Sequence, residues 1–381
     1  MWSKKETHRL TPPKPLILWH WIAIFILLLV ISLIFALFIF SEKMIDNVAI
    51  YSLIIVSFSI LIFAIILAIR IMIYGVKEET VKLWDDELTR VDERWSQWSM
   101  QSLAIVKNIS ITPSNFSACN LIEGMASLSI KNHQVMLFEK ADENFYQQFF
   151  KKVFLNLYEP LNQLASYPLT IVILNSSKEK INEEIIKQAY NNFDLTNSVS
   201  FLYPSPIQNE ESFLNSLIDG VTDEQLYLLV ANNSHHSSSS NFISCSLIID
   251  PQLMVQSNSI NISGLIRRTM VTQKDNVLSA IKQLCEIQPA FIKAECFWLS
   301  QMSDDEIMEL KLAFCVLKDE FLHNKSLVSY PLDMYFGVPN SQLTYWLLVG
   351  FAAQGARITK QTQLVATKID DSYLFTVITP P

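Results

Sequence analysis

The side chains able to do chemistry are few, and their spacing excludes most of what they could do. His235 and His236 stand beside Ser237, Ser238, Ser239 and Ser240 and supply imidazole and hydroxyl groups. Adjacent residues on a polar loop lack the fixed geometry that metal ligation or proton transfer needs, so residues 231–240 read as a solvated linker. Cys285, Cys296 and Cys315 with His323 offer thiol–imidazole chemistry, yet Cys315 lies inside an apolar helical pattern and reads as a core thiol. Asp304-Asp305 and Asp370-Asp371 are explained by a helix start and a turn. Arg267-Arg268 is a short basic spot, solvated by default, that would suit an acidic partner. The sequence holds no GxGxxG, GxxxxGK[ST], HExxH or GxSxG motif, and only 7 glycines with which to build a phosphate loop. The 5 cysteines form no CxxC pair, which argues against a zinc site or a disulfide framework and for reduced, buried thiols. No catalytic residue, metal or cofactor is assigned from these groups, and the expectation is a protein that is not an enzyme.

Two aromatic sets are left as candidate partner-binding residues. Val81, Trp84, Leu88, Val91, Trp95 and Trp98 are spaced alternately three and four apart, which lays one apolar stripe along a helix. Tryptophan is enriched at binding hot spots, so Trp84, Trp95 and Trp98 form either a seam for a partner or a second copy, or the inner face of a helix folded back on its own domain. The second set is Tyr335 and Phe336 in the segment Leu332–Asn340, an aromatic loop entering an apolar helix. Such loops either position partner contacts or pack their aromatic rings inward.

The elements that must carry these residues begin with two apolar runs. Leu16–Phe40 has no formal charge and Val48–Ile73 has one, Arg70. About 20 apolar residues cross a hydrocarbon core, and a helix satisfies its own backbone there. The runs predict a transmembrane hairpin: a tail over 1–15, a first span over 16–40, a short loop over 41–47 and a second span over 48–73. Lys4, Lys5, Arg9 and Lys14 before the first span, and Arg70, Lys77, Lys82 and Arg90 after the second, outweigh the loop's Lys43 and place both termini in the cytoplasm of an inner membrane. Trp19 and Trp21 are expected as interfacial anchors, with Arg70 snorkelling to the surface. An amphipathic stalk helix is expected over 74–110.

Residues 111–381 carry 18 Lys/Arg against 27 Asp/Glu, whereas residues 1–110 carry 11 against 10. The acidic part is a poor nucleic-acid binder, since sequence-independent binding there is phosphate neutralisation. Strands are predicted at Leu169–Leu174, Val199–Leu202, Leu226–Ala231, Ile243–Ile249, Gln363–Ile369 and Tyr373–Ile378, the last two as a hairpin. Helices are predicted at Asn144–Ser166, after a capping box at Ser176–Glu179, after Asn209 with Gly220 as its stop, after a capping box at Ser303–Glu306, and over Ser341–Gln354 with Gly355 ending it. The alternation gives an α/β fold in two halves, 111–240 and 241–381, joined by the serine-rich stretch.

The stretches Leu226–Ala231 and Gly337–Asn340, with the apolar helix and final hairpin after them, resemble the type VI secretion lipase adaptor family of Gram-negative bacteria. The resemblance implies a membrane-anchored, non-enzymatic adaptor that brings a lipase effector to the secretion spike, with a protein partner and the lipid bilayer as its contacts. An immunity-type or other secretion-associated membrane protein is the alternative in the same class. The closing helix and two-stranded return are also similar to the thiolase-like fold. That similarity implies a membrane-bound enzyme relative, although the catalytic Cys and His pattern of those enzymes has no match at Gly337–Tyr345.

Overall fold

The computed structural model describes residues 2, 4, 8–40, 48–114, 116–124, 128–176, 181–204, 210–220, 225–256, 260–317, 327–339 and 342–381. It divides into two compact units, one of Met1–Lys4 with Trp95–Pro381 and one of Lys5–Arg94.

The smaller unit is helical. α1 runs over Leu18–Phe40 and α2 over Val48–Met100. Both are long and apolar enough to cross a membrane by length and composition. Trp21 and Phe25 pack against Phe63 across the pair, while Trp19 is exposed, as an interfacial ring would be. The loop expected over 41–47 lies outside the described residues. The apolar and charged parts of α2 are one uninterrupted helix that runs through Gly75, since a single glycine inside a helical pattern is tolerated and no proline separates the parts. The stalk is shorter than expected: α2 ends at Met100, and Ser102–Ile111 is a strand, β1. Its β-branched run Ile105-Val106 and Ile109 to Ile111 favours an extended backbone.

After β1 come α3 (Ala118–Gly124), α4 (Glu143–Gln163), β2 (Leu169–Asn175), α5 (Glu183–Asn191), β3 (Val199–Leu202), α6 (Glu210–Asp219), β4 (Leu226–Asn232) and β5 (Ile243–Ile249). The strands stand in the order β3-β2-β4-β5-β1. β2 runs parallel to β3 and β4, and β5 is antiparallel to both β4 and β1. The chain continues through α7 (Pro251–Gln256), β6 (Gly264–Arg267), β7 (Met270–Gln273), α8 (Val277–Ile287), α9 (Pro289–Ile292), β8 (Ala294–Ser300), α10 (Asp304–Leu317), β9 (Val328–Pro331), α11 (Leu332–Phe336), α12 (Thr344–Thr359), β10 (Thr362–Ile369) and β11 (Ser372–Thr379). If β6 and β7 are one first strand broken at Arg268-Thr269, the second half repeats the first. Its order is β9-β8-β10-β11 followed by the broken strand, with β8 parallel to β9 and β10 and β11 antiparallel to its neighbours. β1 pairs antiparallel with β6, so one sheet runs through both halves.

The boundary between halves therefore lies after β5. Residues 231–240 are the end of β4 and most of the hairpin loop, 233–242, that joins it to β5, and they join no domains. Nor is the loop wholly solvated. Asn233, Ser239 and Ser240 are buried, and the Asn233 amide donates to Ser239 Oγ (3.0 Å) and to the Ser240 carbonyl (2.9 Å). His235 at its tip is exposed and hydrogen-bonds the Tyr146 hydroxyl through Nε2 (2.8 Å).

Side-chain alternation sorts each strand between two cores. Val172 and Leu229 of the first half, and Trp298 and Val365 of the second, share a central core with α6, α11 and α12. Their sequence neighbours point the other way: Ile171, Ile173, Leu228 and Val230 pack on α4 and α5, and Phe297, Leu299, Leu364 and Ala366 on α8, α9 and α10. Helices thus cover both faces, which is why most of these strands read as continuous apolar runs. α12 is apolar all round because it sits between the halves. Gly350 lets it approach β1 closely, since a Cβ there would lie 2.3 Å from Asn108 Nδ2. The helix passes through Gly355 and stops at Lys360, whose backbone is left-handed (φ 59°).

Candidate functional site

A cavity of about 860 Å³ opens at the carboxyl ends of β8, β9 and β10. Parallel strands leave such a crevice because the chain departs from each strand end on a loop of its own. Ser300 and Gln301 follow β8, Asp333 follows β9, and Lys368 and Asp370 close β10; Gly337 and Val338 reach it from the loop before α12. His133 and Asn132 enter from the first half.

The first half is tied to this wall by backbone bonds. The Ser240 N–H donates to the Val338 carbonyl (2.7 Å), its hydroxyl accepts from Val338 N–H (3.1 Å) and Met136 N–H (3.2 Å), and Lys131 N–H donates to the Met334 carbonyl (2.8 Å). Gly337 is required where these loops meet. Its φ is +98°, and a Cβ would fall 2.0 Å from the Gln134 carbonyl oxygen. His133 (φ 61°), Gln301 (φ 60°) and Asp370 (φ 53°) are also left-handed, so four of the six positive-φ positions among the described residues line this cavity, Asp194 and Lys360 lying elsewhere.

Asp333 is the chemical centre. Its Oδ1 accepts from Ser300 Oγ (2.5 Å) and its Oδ2 from Gln301 N–H (2.7 Å). Burial pushes its pKa up to about 6, against the pull of those hydrogen bonds toward the ionised form. A carboxyl that changes charge near neutrality and faces a cavity can give or take a proton. Glu306, two positions into α10, titrates differently. Burial raises its pKa, but hydrogen bonds from Lys368 Nζ (2.7 Å), Ser303 N–H (2.9 Å) and Tyr373 OH (3.0 Å) outweigh that and hold it down to about 2. The same contacts complete the expected capping box, with Glu306 N–H returned to Ser303 Oγ (3.3 Å).

The partner-binding candidates are not gathered into one surface. Trp95 and Trp98 pack against the outer core of the second half, in edge-on contact with each other (5.2 Å). Phe336 is fully buried in the central core, and Tyr335 is partly buried and stacks on Phe116 (6.4 Å). These aromatic rings were the largest apolar groups on their elements, so the core took them. Trp84 is exposed, its indole N–H donating to the His8 carbonyl (3.1 Å). The cavity shares one segment, residues 332–339, with the aromatic candidates. Asp333 lies within it, but Ser300 and Gln301 are about thirty residues away and carry no local signal. None of the 5 cysteines lines the cavity; burial pushes the thiols of Cys245 and Cys296 up, away from reactivity.

No protein-family model matches the chain. No curated protein matches it either. Solved structures do. A complex of a type II polyketide synthase ketosynthase with its acyl-carrier protein matches with a TM-score of 0.53 at 9% identity, over 74% of this chain and 99% of that one. A ketosynthase of the bacillaene polyketide synthase of Bacillus amyloliquefaciens gives 0.49 at 9% identity, over 74% and 75%. The 3-oxoacyl-[acyl-carrier-protein] synthase III of Aquifex aeolicus gives 0.43 at 9%, over 73% and 99%. The larger unit has the ketosynthase or thiolase-like fold, in agreement with the two-half topology. This corrects the expected secretion adaptor. Of the stretches that suggested that family, Leu226–Ala231 lies in β4 and residues 337–339 lie in the cavity loop, within a fold shared with solved ketosynthases.

Proposed function

We propose that this chain is an enzyme-like protein of the thiolase fold that binds a small polar molecule at the ends of β8, β9 and β10 and exchanges a proton with it through Asp333. The observation that carries the reading is the Asp333 carboxyl itself. It lines the cavity, is fixed by Ser300 and Gln301, and is raised to about 6 by burial. Ser300 Oγ and the backbone N–H groups of Gln301, Met302 and Asp333 itself orient it, and its proton is what it exchanges with the ligand. The reaction class is acid–base: with no cysteine at the cavity, acyl transfer through a thiolate has no nucleophile there. Asp304, Asp333 and Asp370 outnumber Lys368, which is already engaged by Glu306, so the cavity favours neutral or cationic ligands over anionic ones.

The apolar pair α1 and α2 anchors the protein in a bilayer as a two-pass hairpin, with both termini in the cytoplasm on the Lys/Arg asymmetry. The test is binding of a panel of small polar metabolites, amines and acids to the full chain by ligand-observed NMR. Binding that weakens or strengthens between pH 5 and 7 and is altered in Asp333→Asn supports the reading. Binding indifferent to both, or none at all, refutes it.

A further inference from the structure

A second built site lies away from the cavity, where the break between β6 and β7 leaves the buried Thr269 carbonyl to side-chain donors and turns Arg268 inward. Arg268 is 1% exposed. Its guanidinium lies over the Trp98 ring (4.4 Å to the centroid), its Nε donates to the Trp98 carbonyl (3.0 Å), and its outer nitrogen reaches Gln101 and Asp219. On this floor rests Trp2. Its ring meets Trp98 edge-on at 5.3 Å, and its indole N–H donates to the Thr269 carbonyl (3.3 Å). One side chain reads its backbone in both directions. Trp2 N–H donates to Gln283 Oε1 (3.1 Å), and Gln283 Nε2 donates to the Trp2 carbonyl (3.3 Å). Trp2 is 8% exposed and Gln283 is equally buried. An amide that pairs with a backbone, beside an aromatic slot that takes an indole, is the chemistry of peptide capture.

We infer that Trp98, Arg268, Thr269 and Gln283 form a binding pocket for a tryptophan-bearing peptide segment, filled in cis by the chain's own Trp2, so that the apolar parts of α1 and α2, which come between Trp2 and Trp98 in the chain, enter and leave the bilayer on one side. The topology follows from chain continuity. Trp2 precedes the hairpin and Trp98 follows it, yet the two rings touch within one compact unit. Any membrane crossings between them are even in number. This part rests on the membrane reading above; the pocket does not.

The test uses the full chain in detergent micelles with a fluorescent synthetic peptide of residues 1–5. A tethered occupant acts at an effective concentration on the order of millimolar, so the wild-type pocket resists exchange. The Trp2→Ala chain is expected to bind the peptide saturably, at least about tenfold better than wild type, and Trp2→Ala with Gln283→Ala to lose it. Tryptic cleavage after Lys4 is expected to speed up about tenfold in Trp2→Ala and in Gln283→Ala, as the docked tail opens more often. Equal peptide binding and equal cleavage in all chains overturn the pocket. A wild-type dimer that becomes monomeric in Trp2→Ala overturns the cis assignment, since the tails would then be exchanged between copies. If instead the chain fails to partition into membranes while both readouts behave as expected, the bilayer reading falls and the pocket stands.

Discussion

Replacing Asp333 by Asn removes one titrating group from the cavity and leaves its shape. The amide oxygen accepts from Gln301 N–H, and the amide nitrogen donates to Ser300 Oγ once that hydroxyl turns. The wild-type carboxyl has a pKa of about 6 against an ordinary 3.8, a gap worth about 3 kcal/mol. Its sign follows from proton binding. The folded state holds this proton more tightly than the unfolded chain, so the group's favourable contribution is complete below pH 4. It fades as pH rises and is gone above about 6. Asn has no proton to lose. The variant is therefore expected to gain on wild type by about 2 kcal/mol between pH 4.5 and 7.5, since part of the gap has already opened by pH 4.5, roughly 4–8 °C of melting temperature for a unit of this size. Glu306 stays ionised throughout that window. Differential scanning fluorimetry of the full chain in detergent, in half-unit pH steps, measures the gap. Parallel curves for the two chains would show that Asp333 titrates normally, and would remove the physical basis of the site.

Gly337→Ala is expected to lower stability by about 2–4 kcal/mol, since it combines a left-handed backbone with a Cβ driven into the Gln134 carbonyl; thermal melting checks it, and an unchanged melting temperature contradicts the packing described. Glu306→Gln is expected to cost about 1–3 kcal/mol near pH 7, because the single amide oxygen cannot serve both Lys368 and the Ser303 N–H and the charge facing Lys368 is lost. The wild-type advantage persists down through pH 4 and disappears as pH approaches 2, because a lowered carboxylate pKa stabilises only above it. Arg268→Met is expected to cost about 1–3 kcal/mol, because the buried Trp98 carbonyl loses its donor while Asp219 is left exposed to water; chemical denaturation of the chain in detergent reads this directly.

Local signals located some elements to the residue. β3 and β5 stand where their apolar runs predicted, and the Ser303–Glu306 box starts α10 because two backbone donors and two side chains satisfy each other within four residues. β1 was hidden because Ser102–Ile111 continues the apolar stripe of α2 without a glycine or proline between them. The repeated topology left no trace as a residue repeat, since strand order is set by pairing across the sheet and many side-chain sets satisfy it. The cavity was illegible for a related reason. Ser300 and Asp333 belong to different strand ends and meet only because β8 and β9 run parallel and in register, Leu299 opposite Pro331. Trp2 shows the limit in the other direction: nothing near residue 2 indicates a docking partner 281 positions away.

The central claim is that the cavity at the ends of β8, β9 and β10 is the working site and that Asp333 is its proton-exchanging group. The most direct measurement is the ionisation of Asp333 itself, followed by carbonyl-region difference infrared spectroscopy of the full chain and of Asp333→Asn between pH 4 and 8. The account predicts a carboxylic-acid band that disappears with a midpoint near pH 6 in wild type and is missing from the variant. A spectrum in which the two chains lose the same bands, with no component titrating above pH 5, would contradict it.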